Sequence, residues 1–297
     1  MGLYFTTIGI GAEDLQSGNF FFLDPSGPSM DMSQFLETKN NYTVSYMPLK
    51  EEITQILSDA DGDFGVYFED LEIDAWFGVN EREAFRPASL LKTTTVATIL
   101  KEVEEGEASL DTEVALTKGD IANFEFENSY AKEDQNMTIR QLIEITLIHS
   151  DNTALNKLYG YVINDRWIET RLRMGMPLSV SFESSGDIAL SPKEFSNVFH
   201  SLYYSGYLSK CSSNWMLMLM SETDFVDGIP AGVSKGVVVS HKIGLWADYG
   251  SVHDCGIVYA KRPYILCIMS KNTTLEEGNR VIKEISETVY DHVSAPL

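Results

Sequence analysis

The residues of this chain with the clearest chemical potential are a hydroxyl and an amine one helical turn apart. In FRPASLLKTT, residues 85–94, Lys92 follows Ser89 by three positions, which puts both side chains on one face of a helix. Pro87 favours a helix start, so Ser89 falls at or near an N-terminus, and the apolar VATIL beyond it reads as a buried helix. A buried ammonium is costly unless something uses it. A serine hydroxyl, for its part, attacks carbonyl carbon only when a base takes its proton.

Ser-x-x-Lys is a common pattern, and Ser129–Lys132 repeats it. That copy lies in polar FENSYAKEDQN with no apolar helix behind it, so context selects Ser89. Two further pieces carry polar groups between apolar elements. Ser150-Asp151-Asn152 separates two apolar helices and, taken alone, is read more simply as a helix cap. His241-Lys242-Ile243-Gly244 ends the strand pattern VVVSHKIG, where the glycine would let a ligand approach the backbone closely, although an ordinary edge-strand lysine fits too. Gly232-x-Ser234-x-Gly236 has the form of a hydrolase nucleophile elbow, but a strand rather than a helix follows it, so it reads as a turn. The five histidines show no metal spacing, and His241 and His253 are assigned no catalytic part.

These pieces need a frame. A helical face begins at Lys50, and DFGVYFED with IDAWFGV reads as a strand hairpin. From Ser89 to about Met220 the signals are helical, which predicts an all-helical block. GVVVSHKIG, SVHDCGIVYA and YILCIMSKN are three further strands, followed by a helix over about Leu275 to His292. Strands at both ends with helices between them predict an α+β fold, an α/β sandwich. One antiparallel sheet would form from the N- and C-terminal segments, flanked by helices, with an inserted helical lobe. The domain spans 46–297, with a sheet lobe over about 50–84 and 226–297 and a helical lobe over about 85–225. Residues 1–45 read as an appended extension without a sustained period. The cleft between lobes is the natural place for a site.

Composition narrows the partners. The 297 residues carry 44 acidic and 22 basic side chains, a formal charge of −22, which repels phosphate backbones and anionic membrane surfaces. Nucleic acid is not an expected partner. No apolar run is long enough for a membrane span, and the start lacks the basic and apolar regions of a signal peptide. The three cysteines, Cys211, Cys255 and Cys267, lack metal spacing and read as small buried apolar residues rather than a disulfide framework.

Taken together and in order, Ser89-x-x-Lys92, Ser150-Asp151-Asn152 and Lys242-Ile243-Gly244 resemble the motif set of the penicillin-recognising serine hydrolases, above all the class A β-lactamases. The resemblance covers about residues 50–292 and implies a β-lactamase/transpeptidase-like fold. It implies Ser89 as nucleophile and Lys92 as its base, given a pKa depressed by burial and nearby positive charge. Ser150 would relay a proton to the leaving nitrogen, and Lys242 would be an electrostatic anchor for that relay and for a substrate carboxylate. Asn152 would orient Lys92 and bind the substrate amide. The backbone N–H groups of Ser89 and Leu245, just past Gly244, would form an oxyanion hole. Phe124 falls where the family has an aromatic cleft wall, a position a core phenylalanine also fits. Asp151 reads as structural. No cofactor or metal is implied. The substrate would be a β-lactam or a D-alanyl-D-alanine peptide, met by a monomer in the periplasm or outside the cell.

Two departures from the family pattern bear on function. Ile243 stands where the family has threonine or serine, which removes a hydroxyl that grips a β-lactam carboxylate. The segment RMGMPLSVSFESSGDIALSPKEF is short and holds no Glu-x-x-Leu-Asn, the source of the deacylating glutamate. Glu183 is the nearest carboxylate there and a candidate displaced base, with Asp187 behind it, although a solvated loop carboxylate is the simpler reading. Slow deacylation favours, as alternatives, a D-alanyl-D-alanine peptidase or transpeptidase of cell-wall metabolism, or an acylated sensor.

Overall fold

The computed structural model describes residues 45–122, 129–162, 164–177 and 188–295. Five strands form one antiparallel sheet: β1 (Asp63–Asp70), β2 (Ala75–Val79), β5 (Val239–Trp246), β6 (Ser251–Val258) and β7 (Tyr264–Lys271), in the spatial order β2-β1-β7-β6-β5. The first two come from the N-terminal part and the other three from the C-terminal part, so β1 pairs with β7 along its whole length, Asp63 with Lys271 through Asp70 with Tyr264. The fold is α+β, as the order of periodic segments predicts.

Both faces of the sheet are covered, and side-chain alternation sorts the strands' apolar residues between them. In β7, Tyr264, Leu266 and Ile268 enter one core and Ile265, Cys267 and Met269 the other. The first core lies under α1 (Met47–Ser58) and α8 (Leu275–Ser294). In α8, Val281, Ile282, Ile285, Val289 and Val293 are buried along one stripe, and Thr274 caps the first turn by accepting the Glu277 N–H at 3.2 Å. Burying five such side chains favours the docked helix by on the order of 10 kcal/mol before ordering costs.

The second core joins the sheet to the helical lobe: α2 (Lys92–Glu104), α3 (Ile139–Ile148), α4 (Asn152–Tyr159), α5 (Asn164–Arg173), α6 (Pro192–Tyr203) and α7 (Lys210–Ser221). Every residue of α2 from Lys92 to Leu100 is buried. Its threonines are tolerated there because their hydroxyls are bonded: Thr93 to the Leu90 carbonyl at 2.7 Å, Thr94 to Leu91 at 2.8 Å, Thr98 to Thr94 at 2.8 Å.

The lobe is not wholly helical. Two three-residue strands, β3 (Glu113–Ala115) and β4 (Asn136–Thr138), pair as a second small sheet, too short to show a period of two in the sequence. The cysteine reading also changes. Strand register sets Cys255 of β6 opposite Cys267 of β7, and the two form a disulfide, while the half-buried Cys211 is in no disulfide among the described residues. The Gly-x-Ser-x-Gly segment is a turn, with Val237 N–H donating to the Ser234 carbonyl at 3.1 Å and Gly236 at φ +94°. No helix among the described residues is long and apolar enough to cross a membrane.

Candidate active site

Ser89 lies on a 3₁₀ turn, Ala88–Leu91, that runs directly into α2. The chain enters through Pro87, and Ala88 takes φ +48°, a left-handed conformation costly for a residue with a Cβ. Leu90 N–H closes the turn on the Pro87 carbonyl at 3.1 Å, leaving Ser89 half-buried at the mouth of a cleft of about 750 Å³. Lys92, Asn152 and Leu245 line the same cleft.

Lys92 is 2% exposed, and its ammonium is held by acceptors from a segment far away in sequence. Nζ donates to the Ser150 backbone carbonyl, to Ser150 Oγ at 3.1 Å and to Asn152 Oδ1 at 2.7 Å. These bonds offset much of the cost of burying the charge. Ser150 presents both its oxygens because it sits at φ +56°, ending α3 where a glycine is usual. Asp151 then starts α4, accepting Ala154 N–H on Oδ1 at 2.7 Å. Its Oδ2 accepts Tyr130 N–H at 2.7 Å and Ser129 Oγ at 3.1 Å, so Asp151 ties the 129–131 segment to the helix junction. Ser129 of the second Ser-x-x-Lys match is thereby engaged structurally, and Lys132 points to solvent.

Lys242 approaches from the sheet. On β5, alternation places Ser240, Lys242 and Gly244 on the face toward the helical lobe, where Ser240 Oγ donates to the Leu217 carbonyl at 2.7 Å. Lys242 is 1% exposed, its Nζ has no hydrogen-bond partner among the described residues, and the Phe225 ring centroid lies 5.8 Å away. Burial, reinforced by the nearby charge of Lys92, holds its pKa well below the ordinary lysine value. The glycine beside it serves a purpose other than ligand access: a Cβ at Gly244 would meet the Pro87 carbonyl at 2.8 Å and Leu90 Cγ at 3.0 Å. Gly244 therefore lets the Ser89 turn press against β5, and Leu245, one residue on, faces the cleft.

His253 secures that contact from behind. Its Nδ1 accepts the Ser270 N–H at 3.0 Å, so Nε2 carries the proton and donates to the Arg86 carbonyl at 2.7 Å, just ahead of Pro87. Burial pushes its pKa down to about 4. His241 lies on the opposite face of β5, where its Nδ1 pairs with buried Asp254 at 2.7 Å. Neither histidine is among the residues lining the cleft around Ser89.

Of the residues singled out from sequence, Ser89, Lys92, Ser150, Asn152, Lys242, Gly244 and Leu245 converge where β5 meets the head of α2. Phe124 and Glu183 lie outside the described residues. The sequence reading missed His253 as the support of the Ser89 turn. It also missed Tyr159, Trp246, Asp248 and Leu275, which line the rest of the cleft. For Trp246 a signal existed, since the apolar pattern of β5 continues past Gly244. A hydroxyl and a buried amine line the cleft, and a second hydroxyl and a second amine lie behind it; groups of these types are the ones nucleophilic acyl transfer uses.

The chain is similar to known proteins. The β-lactamase enzyme family matches residues 48–293. A β-lactamase of Proteus vulgaris is 26% identical over 253 residues, covering 80% of this chain and 91% of that one. β-Lactamase L2 of Stenotrophomonas maltophilia is 36% identical over 102 residues, a third of each chain. Among solved structures, PBP-A superposes with a TM-score of 0.74 at 24% identity, over 83% of this chain and 96% of that one; one of its variants is an acyl-enzyme with penicillin G. TLA-3 extended-spectrum β-lactamase superposes with a TM-score of 0.76 at 19% identity, over 84% and 100% of the two chains. With its family match spanning nearly the whole described fold, and with the sheet and helical lobe arranged as in these structures, the chain belongs to the β-lactamase enzyme family.

Proposed function

We propose that the protein is a serine hydrolase of class A β-lactamase type that is acylated on Ser89. Lys92, once it has released a proton, takes the hydrogen of Ser89 Oγ as the oxygen attacks the carbonyl carbon of a β-lactam or related amide. The backbone N–H groups of Ser89 and Leu245 receive the oxyanion. Ser150, in contact with Lys92, passes a proton to the amide nitrogen, the C–N bond breaks, and the acyl group stays on Ser89 as an ester. Lys242 supplies positive potential for that transfer and for an anionic group on the leaving side. Water then attacks the ester carbonyl, releasing the acid and restoring the hydroxyl. The observation that carries this reading is the clasp of Lys92 by Ser150 and Asn152 at the edge of the cleft that Ser89 enters. Such a protein would act as a monomer in the periplasm or outside the cell.

A second reading is favoured by the sequence of residues 173–195, which contains no Glu-x-x-Leu-Asn to activate water, and by Ile243 in place of a hydroxyl residue. It makes the protein a D-alanyl-D-alanine peptidase or transpeptidase, or an acylated sensor, with the same first half-reaction. Intact-mass measurement during incubation with penicillin G separates the two. A transient adduct with loss of substrate is expected of a β-lactamase and a lasting adduct of a peptidase or sensor. Ser89→Ala removes the adduct in both cases. An adduct that persists in Ser89→Ala, or none in the unaltered protein, overturns acylation at Ser89.

A further inference from the structure

The cleft is chemically uneven, and the unevenness points to a class of acyl side chain. At one end stand Ser89, Lys92 and Asn152, with Ser150 and Lys242 behind them and outside the lining. The acyl group left on Ser89 must occupy the remainder. There the walls are apolar, from Leu155 and Tyr159 of α4 on one side to Leu245, Trp246 and Leu275 on the other. Tyr159, Trp246 and Leu275 are 47%, 39% and 54% exposed, so apolar surface faces an empty channel rather than a packed core.

Charge in this channel is confined to two residues. Among the described residues lining it, Lys92 is the one cation and Asp248 the one carboxylate. Lys92 is already engaged by Ser150 and Asn152 at the reacting end. Asp248 sits on the 3₁₀ turn Ala247–Tyr249 that ends β5, directly after Trp246, and has no ion-pair or hydrogen-bond partner among the described residues. Arg86, a cation beside that turn, lies over the Tyr249 ring at 4.0 Å and the Trp246 ring at 5.6 Å. The protein's formal charge of −22 adds a field of the same sign as Asp248.

Resting on the acyl-transfer reading above, we infer that this cleft selects amides whose acyl side chain has an apolar body and an ammonium tip, with Asp248 as the charge-selecting residue. The side chain lies along Leu155, Tyr159 and Trp246, and the ammonium meets the Asp248 carboxylate at the solvent edge. A carboxylate at the same position is repelled. An exposed pair of this kind changes affinity by about fivefold at most, and screening by salt reduces it.

The test uses three penicillins with one nucleus and phenylacetyl side chains whose para position carries an aminomethyl group, hydrogen (penicillin G) or a carboxyl group. Second-order acylation rates are read by intact mass at about pH 6, where the amine is protonated and the carboxyl group ionised. The expected order is ammonium, neutral, carboxylate, with about fivefold between neighbours. In Asp248→Asn both ratios should fall toward one, and in the unaltered protein they should shrink at about 1 M salt. Adducts formed without this order, or ratios unchanged in Asp248→Asn, overturn the selection while leaving acyl transfer standing. No adduct with any of the three overturns acyl transfer and this inference with it.

Discussion

The two halves of the cleft bury an amine each, and they treat it in opposite ways. On the helical side, Lys92 at 2% exposure is clasped by Ser150 and Asn152, an arrangement complete before any substrate arrives. On the sheet side, Lys242 at 1% exposure has no hydrogen-bond partner among the described residues and a strongly depressed pKa. The neighbouring His253 is held neutral at physiological pH by burial. The helical half is thus preorganised and satisfied, while the sheet half stores unfavourable free energy. Burying an unpartnered amine costs stability that only an incoming anionic group or proton-relay partner can return. Unmet groups of this kind in an otherwise packed protein mark where function was retained at the expense of stability.

The largest expected effect comes from breaking the satisfied half. Lys92→Met keeps the length of the side chain but removes the base, so the penicillin G acylation rate should fall by about 10³-fold, as for loss of a positioned general base. It also strands the Ser150 carbonyl and Asn152 Oδ1, and stability in urea should drop by about 1–3 kcal/mol. Lys92→Arg should not restore acylation, because a guanidinium stays charged and cannot accept the proton. Rapid acylation of either variant would show that the clasp is structural only.

The sheet half should reveal itself through pH. His253 has a folded-state pKa of about 4, below the ordinary histidine value of 6.5, so the unfolded chain binds a proton that the folded one resists. Its contribution is fully present above pH 6.5, is lost as pH falls from there toward about 4, and then levels off. The integrated loss is about 3 kcal/mol. Urea unfolding measured across that window should show the decline, and His253→Asn should flatten it. An equal slope in the variant would assign the loss to other groups and remove His253 from the comparison.

How much of this was legible in advance depended on sequence distance. Ser89 and Lys92 are one turn apart, so local helix geometry alone brought them together. The α+β order followed from where the periods of two and 3.6 switch. By contrast, the Lys92 contacts with Ser150 and Asn152 span about 60 positions, and no local pattern encodes them; the family motif set supplied that link. The sequence marks Gly244 for a close approach to the backbone, but not that Pro87 of another element makes one there. The Cys255–Cys267 bond depends on the register of β6 against β7, which composition cannot reveal. Asp248 and Leu275 share a wall only because a turn and a helix start meet in space.

The smallest effect is the most diagnostic of the difference between the halves. Lys242→Met replaces a buried, unpartnered amine with a side chain of similar length that prefers the core. Where Lys92→Met should destabilise, Lys242→Met should leave the protein equally stable or raise stability by about 1 kcal/mol at neutral pH. The sign follows from linkage. The folded-state pKa of Lys242 lies well below 10.5, so at neutral pH the unfolded chain holds a proton that burial disfavours in the folded one. The penalty fades as pH rises toward the ordinary lysine value, and the variant's advantage should fade with it. Parallel urea titrations of both proteins near neutral pH and near pH ~10 test this. A clear loss of stability in Lys242→Met at neutral pH would mean that Lys242 is as well satisfied as Lys92, and the asymmetry of the cleft would vanish.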